Sequence, residues 1–138
     1  MGSQGTQQPV RAVDTNVIIR LIVSDHPVQT RLAEAELGTG IFLSHGILME
    51  AEWVLRSFYK LPREEILAAL DTLVEHAGVS TPDRDGVRWA LSRYGGGADF
   101  ADMLHLLAAT GQPEFASFEI KLANLAGPKS PVRVVHLQ

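Results

Sequence analysis

A short apolar run that ends in a carboxylate is the feature that most constrains the fold of this chain. Val10 to Val13 (VRAV) predicts a strand, Asp14 follows it directly, and Thr15 to Ile22 has the length and apolar content of a helix. Open α/β sheets place ligand-binding groups in this way, at the carboxyl end of a core strand where a helix begins. Asp14 is therefore a candidate functional residue, although aspartate also caps helices without any further role.

The rest of the chain repeats this alternation of short strands and helices. Further strands are predicted at 41–43, 79–80, 115–118 and 132–137, and further helices at 28–37, 45–59, 63–76, 83–94, 99–110 and 119–126. Gly38 and Gly40 are expected to stop helix 28–37, and Ser44 is expected to cap the helix that follows it. Alternating strands and helices predict a three-layer α/β/α, Rossmann-like fold with a central parallel sheet, in which the fourth strand lies beside the first.

Composition limits the classes of protein that fit. A length of 138 residues with 46% hydrophobic and 20% charged residues predicts one folded domain over residues 10–138. Residues 1–9 are mostly Gly, Ser and Gln, which predicts a disordered leader and not a signal peptide. The lack of cysteine excludes a disulfide framework, and the lack of a long apolar run argues against a membrane span, so a cytoplasmic protein is expected. A net charge of −4 argues against a protein that coats duplex nucleic acid.

Two glutamates lie at opposite edges of the apolar face of helix 45–59. Glu52 precedes Arg56 by four residues, an order that stabilises a solvated helix face by a few tenths of a kcal/mol. This pairing explains Glu52 but leaves Glu50 without a structural role. Taken alone, an edge glutamate is still more often a surface residue than a ligand.

The later acids also begin helices. Asp99 and Asp102 have the spacing of an N-cap and its third helical residue, which is a purely structural explanation. Asp102 is also in line with Leu106 on a helix that is apolar nearly all round, and a carboxylate that faces a core needs a partner such as a metal ion. Glu119 follows the fourth strand as Asp14 follows the first, and it could equally be an ordinary acid of a helix first turn.

The acids are more informative as a set. If all strands are parallel, their carboxyl ends share one edge of the sheet, and the acids would converge there. Carboxylates that converge without Lys or Arg repel one another and have raised pKa values. Ligand sets made of oxygen atoms suit Mg²⁺ or Mn²⁺. Such ions commonly serve in-line attack on phosphodiesters.

Four segments carry a resemblance to a known family. They are AVDTNVIIRLI (12–22), FLSHGILMEAEWVLRSFY (42–59), GGADFADMLHLLAA (96–109) and FASFEIKLANLAG (115–127). In their order and spacing, the chain resembles PIN-domain ribonucleases, specifically the VapC-type toxins of bacterial toxin–antitoxin modules. The resemblance implies a PIN-like fold, Mg²⁺- or Mn²⁺-dependent endonucleolytic cleavage of RNA, inhibition by a cognate VapB-like antitoxin, and a homodimer.

The resemblance also implies roles for individual residues. The catalytic acids would be Asp14, Glu50, Asp99 and Asp102, and all four would be metal ligands together with Glu119. The family usually has Asp where this chain has Glu119, which puts a second metal position in doubt. Asn16, Ser44 and Ser117 would orient the acids or bound water.

Other interpretations stay open on sequence alone. A haloacid-dehalogenase-type phosphatase needs a second Asp where this chain has Asn16, and a receiver domain needs a late-strand Lys that cannot be placed. A catalytically weak PIN module that acts by binding RNA or a partner protein is the main alternative, and Glu119 keeps it open. Basic candidates for RNA phosphate contacts are Arg20, Arg56, Lys60, Arg63, Arg93 and Lys121, of which two or three are expected to serve.

The histidine and aromatic residues give weaker indications of function than the acids do. His105 is expected to be partly buried and structural, and His45 could touch the rim of the site. Trp53, Phe58 and Tyr59 lie on one helix and are expected to be core or partner-facing residues and not platforms for base stacking.

Overall fold

The structure is a computed structural model that describes residues 10–138; the predicted leader at 1–9 lies outside the described residues. Within this range, strands and helices alternate largely as predicted. The elements are β1 (Arg11–Ala12), α1 (Thr15–Ile22), α2 (Pro27–Thr39), β2 (Ile41–Phe42), α3 (His45–Ser57), α4 (Arg63–Glu75), β3 (Val79–Ser80), α5 (Arg84–Gly95), α6 (Phe100–Ala108), β4 (Phe115–Ser117), α7 (Leu122–Ala126) and β5 (Val134–His136).

The strands form two parallel sheets. The first has the order β1-β2-β3, with Arg11 opposite Ile41 and Ile41 opposite Val79, and the second pairs β4 with β5. A mixed α/β fold with parallel strands is therefore confirmed. The single central sheet differs from prediction, because in residues 10–138 the strand β4 is hydrogen-bonded to β5 and not to β1. The first strand is only two residues long, since Asp14 already caps α1, and it offers few groups for pairing on its outer edge.

One hydrophobic core joins the helices to the strands. Fully buried residues include Ile18, Leu48, Leu70 and Leu106, each from a different helix. Burying a side chain of this kind stabilises the fold by about 1.5–3 kcal/mol. No helix in the described part of the chain has the length and hydropathy to cross a membrane.

Helix α6 is only partly buried, contrary to prediction. Phe100, Met103 and Leu107 face the core, while Asp102 and His105 are exposed. The predictions that Asp102 faces the core and that His105 is partly buried are therefore wrong. A helix of nine residues exposes one side, and these two polar residues, three positions apart, share that side.

Three helices begin with the capping residues that the sequence predicts. Asp14 accepts a hydrogen bond from the Val17 amide (3.4 Å), Ser44 from the Ile47 amide (3.1 Å) and Asp99 from the Asp102 amide (2.9 Å). Asp14 and Ser44 each lie two residues after the end of a strand, and the two strands, β1 and β2, are parallel neighbours. The beginnings of α1 and α3 therefore lie at the same end of the first sheet.

Two glycines are expected to respond oppositely to alanine. Gly127 has φ 77° and ψ −177°, a conformation that is almost exclusive to glycine, and an added methyl group would lie 3.0 Å from the Arg93 guanidinium carbon. Gly127→Ala is expected to lower the free energy of unfolding by about 1–3 kcal/mol. Gly38 does not stop its helix as predicted; it lies inside α2, with nothing within 4 Å of an added methyl group.

Gly38→Ala is the control, and it is expected to raise the free energy of unfolding by about 0.5–1 kcal/mol because alanine is the better helix former. Urea unfolding of both variants measures the two changes. Equal changes in the two variants would contradict the backbone argument.

Candidate functional site

Asp14 and Glu50 are brought together by the packing of α1 against α3. Both side chains are exposed, and the hydroxyl of Thr15 donates a hydrogen bond to Oε1 of Glu50. Thr15 itself is buried and follows Asp14 directly. The threonine therefore fixes the Glu50 carboxylate next to the carboxyl end of β1. Sequence reasoning missed Thr15, because its partner lies 35 residues away and depends on helix packing.

Glu50 and Asp99 line one cavity of about 420 Å³ between α3 and the beginning of α6. Asp99 holds its place as the N-cap of α6, where its carboxylate accepts the Asp102 amide. Asp14 is not among the residues that line this cavity; it lines a separate concavity with Arg11 and Glu36. Acids from three separate segments are thus linked in pairs, Asp14 to Glu50 through its neighbour Thr15 and Glu50 to Asp99 through a shared cavity.

Asp102 and Glu119 line a second cavity, of about 440 Å³, together with His105 and Ser117. Partial burial of the carboxyl, followed by the charges of Asp99 and Glu119, raises the pKa of Asp102, while His105 opposes the shift. Burial of the carboxyl is the larger cause of the raised pKa, and the like charges that the sequence predicts near Asp102 add to it.

Glu119 is not a helical residue, contrary to prediction. Helix α7 begins only at Leu122, and Glu119 lies in the turn that leads to it from β4. The Glu119 amide donates to Oγ of Ser117 (2.9 Å), and the Lys121 amide lies 3.4 Å from Oε1 of Glu119. Ser117 therefore binds the backbone amide of Glu119, the acid that it is expected to orient.

The full convergence that was predicted is not reached. Among residues 10–138, no three His, Asp or Glu side chains lie close enough together to hold a metal ion. The chemistry of the donors nonetheless fits a hard divalent cation, since the five acids offer exposed carboxylate oxygens. In residues 10–138 the carboxylates thus share cavities in pairs, Glu50 with Asp99 and Asp102 with Glu119, and do not form one closed cage.

Glu52 occupies an environment that was predicted wrongly. Its pairing with Arg56 is confirmed, at 2.7 Å from Nε, but the glutamate is only 4% exposed and does not lie on a solvated face. The Tyr94 hydroxyl also donates to it, at 3.1 Å. Arg56 also lines the cavity that Glu50 and Asp99 share, so a basic side chain lies beside these two acids. The contact with Tyr94 could not be anticipated from the sequence, because Tyr94 is 42 residues from Glu52.

Most of the arginines proposed for RNA contacts are engaged within the protein. Arg20 pairs with Asp25, Arg63 donates to the carbonyls of Tyr94 and Ala98, and Arg93 donates to the carbonyl of Leu125. These contacts give the three arginines structural roles. Lys60 and Lys121 are exposed.

Two further predicted residues lie away from the carboxylates. Asn16 is exposed in the first turn of α1, on a groove between α1 and α2 that also contains Arg20. The imidazole of His45 is hydrogen-bonded to the Pro82 carbonyl at 2.6 Å, which ties α3 to the chain after β3. His45 therefore has a structural contact in place of the proposed one at the site.

The buried tyrosine beside Glu52 predicts a loss of stability at high pH. Burial, then the charge and hydrogen bond of Glu52, raise the pKa of Tyr94 to about 12. The folded protein therefore keeps this proton to higher pH than the unfolded chain, whose tyrosine titrates near 10. The resulting stability is complete below about pH 10 and is lost as the pH rises to about 12. Urea unfolding between pH 9 and 12 should show this loss, and Tyr94→Phe should reduce it; an unchanged slope in the variant contradicts the assignment.

Comparison of the chain with family models, with curated proteins and with solved structures finds no match. The function is therefore argued from the residues and contacts described above.

Proposed function

We propose that this chain is a metal-dependent endoribonuclease of the PIN-domain type, in a three-layer α/β/α arrangement, and the toxin of a type II toxin–antitoxin pair. The observation that carries the proposal is the series of hydrogen bonds and shared cavity walls that links the segments of the acids. Thr15 joins the segment of Asp14 to Glu50, Glu50 shares a cavity with Asp99, and Asp99 binds the Asp102 amide. The resemblance of four segments to VapC-type toxins supports the same function.

Asp14, Glu50 and Asp102 would hold a Mg²⁺ or Mn²⁺ ion, with Asp99 and Glu119 completing the set. Such an ion supplies an activated water for attack on the phosphodiester and neutralises charge on the phosphoryl oxygens. The role of the chain itself is to position the carboxylates. Helix capping fixes the backbone at Asp14 and Asp99, and Thr15 orients the carboxylate of Glu50.

The proposed partners are an RNA substrate, a VapB-like antitoxin and a second copy of the chain. Exposed large hydrophobic residues support binding of a protein, since such side chains are commonly covered in complexes. They include Phe58, Phe118 and Ile120, each of them more than two-thirds exposed.

A second candidate is a catalytically weak module that binds RNA or a protein. This candidate is favoured by the lack, among residues 10–138, of three acidic or histidine side chains close enough to hold one metal ion. Incubation of the purified protein with structured RNA and Mn²⁺ separates the two candidates. Cleavage that EDTA abolishes supports the nuclease, whereas RNA binding without cleavage supports the weak module.

Replacement of Asp102 by asparagine tests the metal site without an activity assay. In EDTA, Asp102→Asn is expected to raise the melting temperature, because the pKa of Asp102 is raised by burial and by neighbouring carboxylates and the charged form is therefore disfavoured. Mn²⁺ at about one hundred times its Kd should stabilise the wild type by about 2.7 kcal/mol and should leave the variant unchanged.

Asp71→Asn is the matched control, since Asp71 is exposed in the middle of α4 and belongs to neither cavity. The control should keep the full response to Mn²⁺. A melting temperature of Asp102→Asn that falls equally with and without Mn²⁺ would instead assign this residue to helix initiation.

A further inference from the structure

The cavity shared by Glu50 and Asp99 has a second wall that the carboxylates do not explain. Met49, Trp53 and Arg56 line it from one face of α3. The cavity volume of about 420 Å³ is within the range of sites that bind small molecules. The wall therefore adds an aromatic ring and a positive charge to the edge of the proposed catalytic site.

Arg56 is held rigidly within this wall. Its Nε and one terminal nitrogen donate to the Glu52 carboxylate at 2.7 and 3.3 Å, and Glu52 is itself buried and bound by the Tyr94 hydroxyl. Nη1 of Arg56 donates no hydrogen bond to any residue in the described range 10–138. The side chain is 48% exposed, so a preorganised guanidinium edge is accessible to a ligand.

Trp53 precedes Arg56 by three residues and is therefore its neighbour on the helix surface. Its side chain is 57% exposed, although the chain buries most of its other large apolar residues. An exposed indole beside a fixed guanidinium can stack a nucleobase while the guanidinium contacts the adjoining phosphate.

We infer that this cavity binds one nucleotide of the RNA substrate, next to the phosphate that is cleaved, with the base on Trp53 and a phosphate oxygen on Arg56. The inference rests on the proposed function, since it places this nucleotide beside Glu50 and Asp99. RNA is favoured over a protein partner because Arg56, the one cation among the described residues that line this cavity, is oriented by a buried carboxylate and shares the cavity with Glu50 and Asp99. The exposure of Trp53 contradicts the expectation of a core position, and the inference assigns the exposed ring to RNA in place of a protein partner.

Tryptophan fluorescence tests the inference directly. The chain has two tryptophans, and Trp89→Phe leaves Trp53 as the single reporter. Nε1 of Trp89 is buried without a hydrogen-bond partner, so this replacement sacrifices no hydrogen bond. In a background that also carries Asp14→Asn, a single-stranded RNA oligonucleotide with Mg²⁺ should quench Trp53 emission in a saturable manner. Unchanged emission at RNA concentrations that saturate binding in a filter assay overturns the inference.

Matched variants then measure each contact in the cleavage assay. Trp53→Ala is expected to raise KM about 5- to 100-fold, whereas Val28→Ala, at an exposed apolar residue of α2 outside this cavity, should leave KM unchanged. Arg56→Lys should lower kcat/KM about tenfold. Arg88→Lys is its control, since Arg88 also binds a carboxylate through two nitrogens but lies outside the cavity.

The outcomes separate this inference from the proposed function. Absence of cleavage by the wild type defeats the nuclease proposal, yet quenching of Trp53 still reports whether the cavity binds RNA. Normal cleavage with unchanged KM in Trp53→Ala overturns the inference alone. A variant Trp53→Ala that turns a dimer into a monomer in light scattering, with RNA binding intact, assigns the face to contact between copies and also overturns it.

Discussion

Asp14→Asn is expected to reduce metal-dependent RNA cleavage by orders of magnitude while the fold stays intact. Asparagine caps a helix as well as aspartate does, so the hydrogen bond from the Val17 amide should survive. The variant loses one negative charge from the ligand set, and an electrostatic loss of this kind lowers kcat by about 10²- to 10³-fold. Cleavage of structured RNA with Mn²⁺ measures the change, and circular dichroism with thermal unfolding verifies the fold.

Asp71→Asn again provides the control, because it removes the same charge from an exposed position on α4. A nuclease activity that survives Asp14→Asn at the level of this control would exclude the proposed role of Asp14. Loss of toxicity on expression in cells should follow the same pattern, with Asp14→Asn harmless and Asp71→Asn as toxic as the wild type.

Glu52→Ala is expected to produce the largest loss of stability, about 2–4 kcal/mol in the free energy of unfolding. The buried Glu52 carboxylate accepts from Arg56 at two nitrogens and from the Tyr94 hydroxyl. Alanine would leave the hydroxyl buried without its acceptor and would open a cavity beneath α3. Urea unfolding measures the difference.

Glu75→Ala is the matched control for this ion pair. Glu75 also binds an arginine, Arg88, through both carboxylate oxygens, but both side chains are nearly half exposed. Its removal should cost at most about 1 kcal/mol. Equal losses in Glu52→Ala and Glu75→Ala would mean that burial of Glu52 contributes nothing. Glu52→Gln should fall between them, because the amide oxygen can still accept from Tyr94.

The two glutamates of α3 show why local patterns predict one kind of contact and not another. The pair of Glu52 and Arg56 follows from a spacing of four residues, so the sequence predicts it and the structure contains it. Its burial depends on Tyr94 from α5, and nothing local to α3 indicates that helix as a neighbour. The partner of Glu50 is Thr15, which likewise comes from a remote segment.

Helix α6 shows the same difference between contacts that local spacing predicts and contacts that depend on remote segments. The N-cap role of Asp99 is confirmed because it depends on a spacing of three residues. The direction of Asp102 was predicted wrongly, because an almost uniformly apolar helix does not reveal which side faces solvent. That choice was made by α3 and α5, the helices that pack against α6.

The sequence by itself determined the alternation of strands and helices, the parallel α/β class, the three caps and the candidate acids, since each depends on periodicity or on residues a few positions apart. The tertiary structure decided which acids are neighbours, that Glu52 and not Asp102 is the buried one, that the strands divide into two sheets, and that Arg56 and Trp53 share a cavity with Glu50 and Asp99. These features arise from the packing of helices that are distant in the chain, and packing is decided by the whole set of apolar faces together.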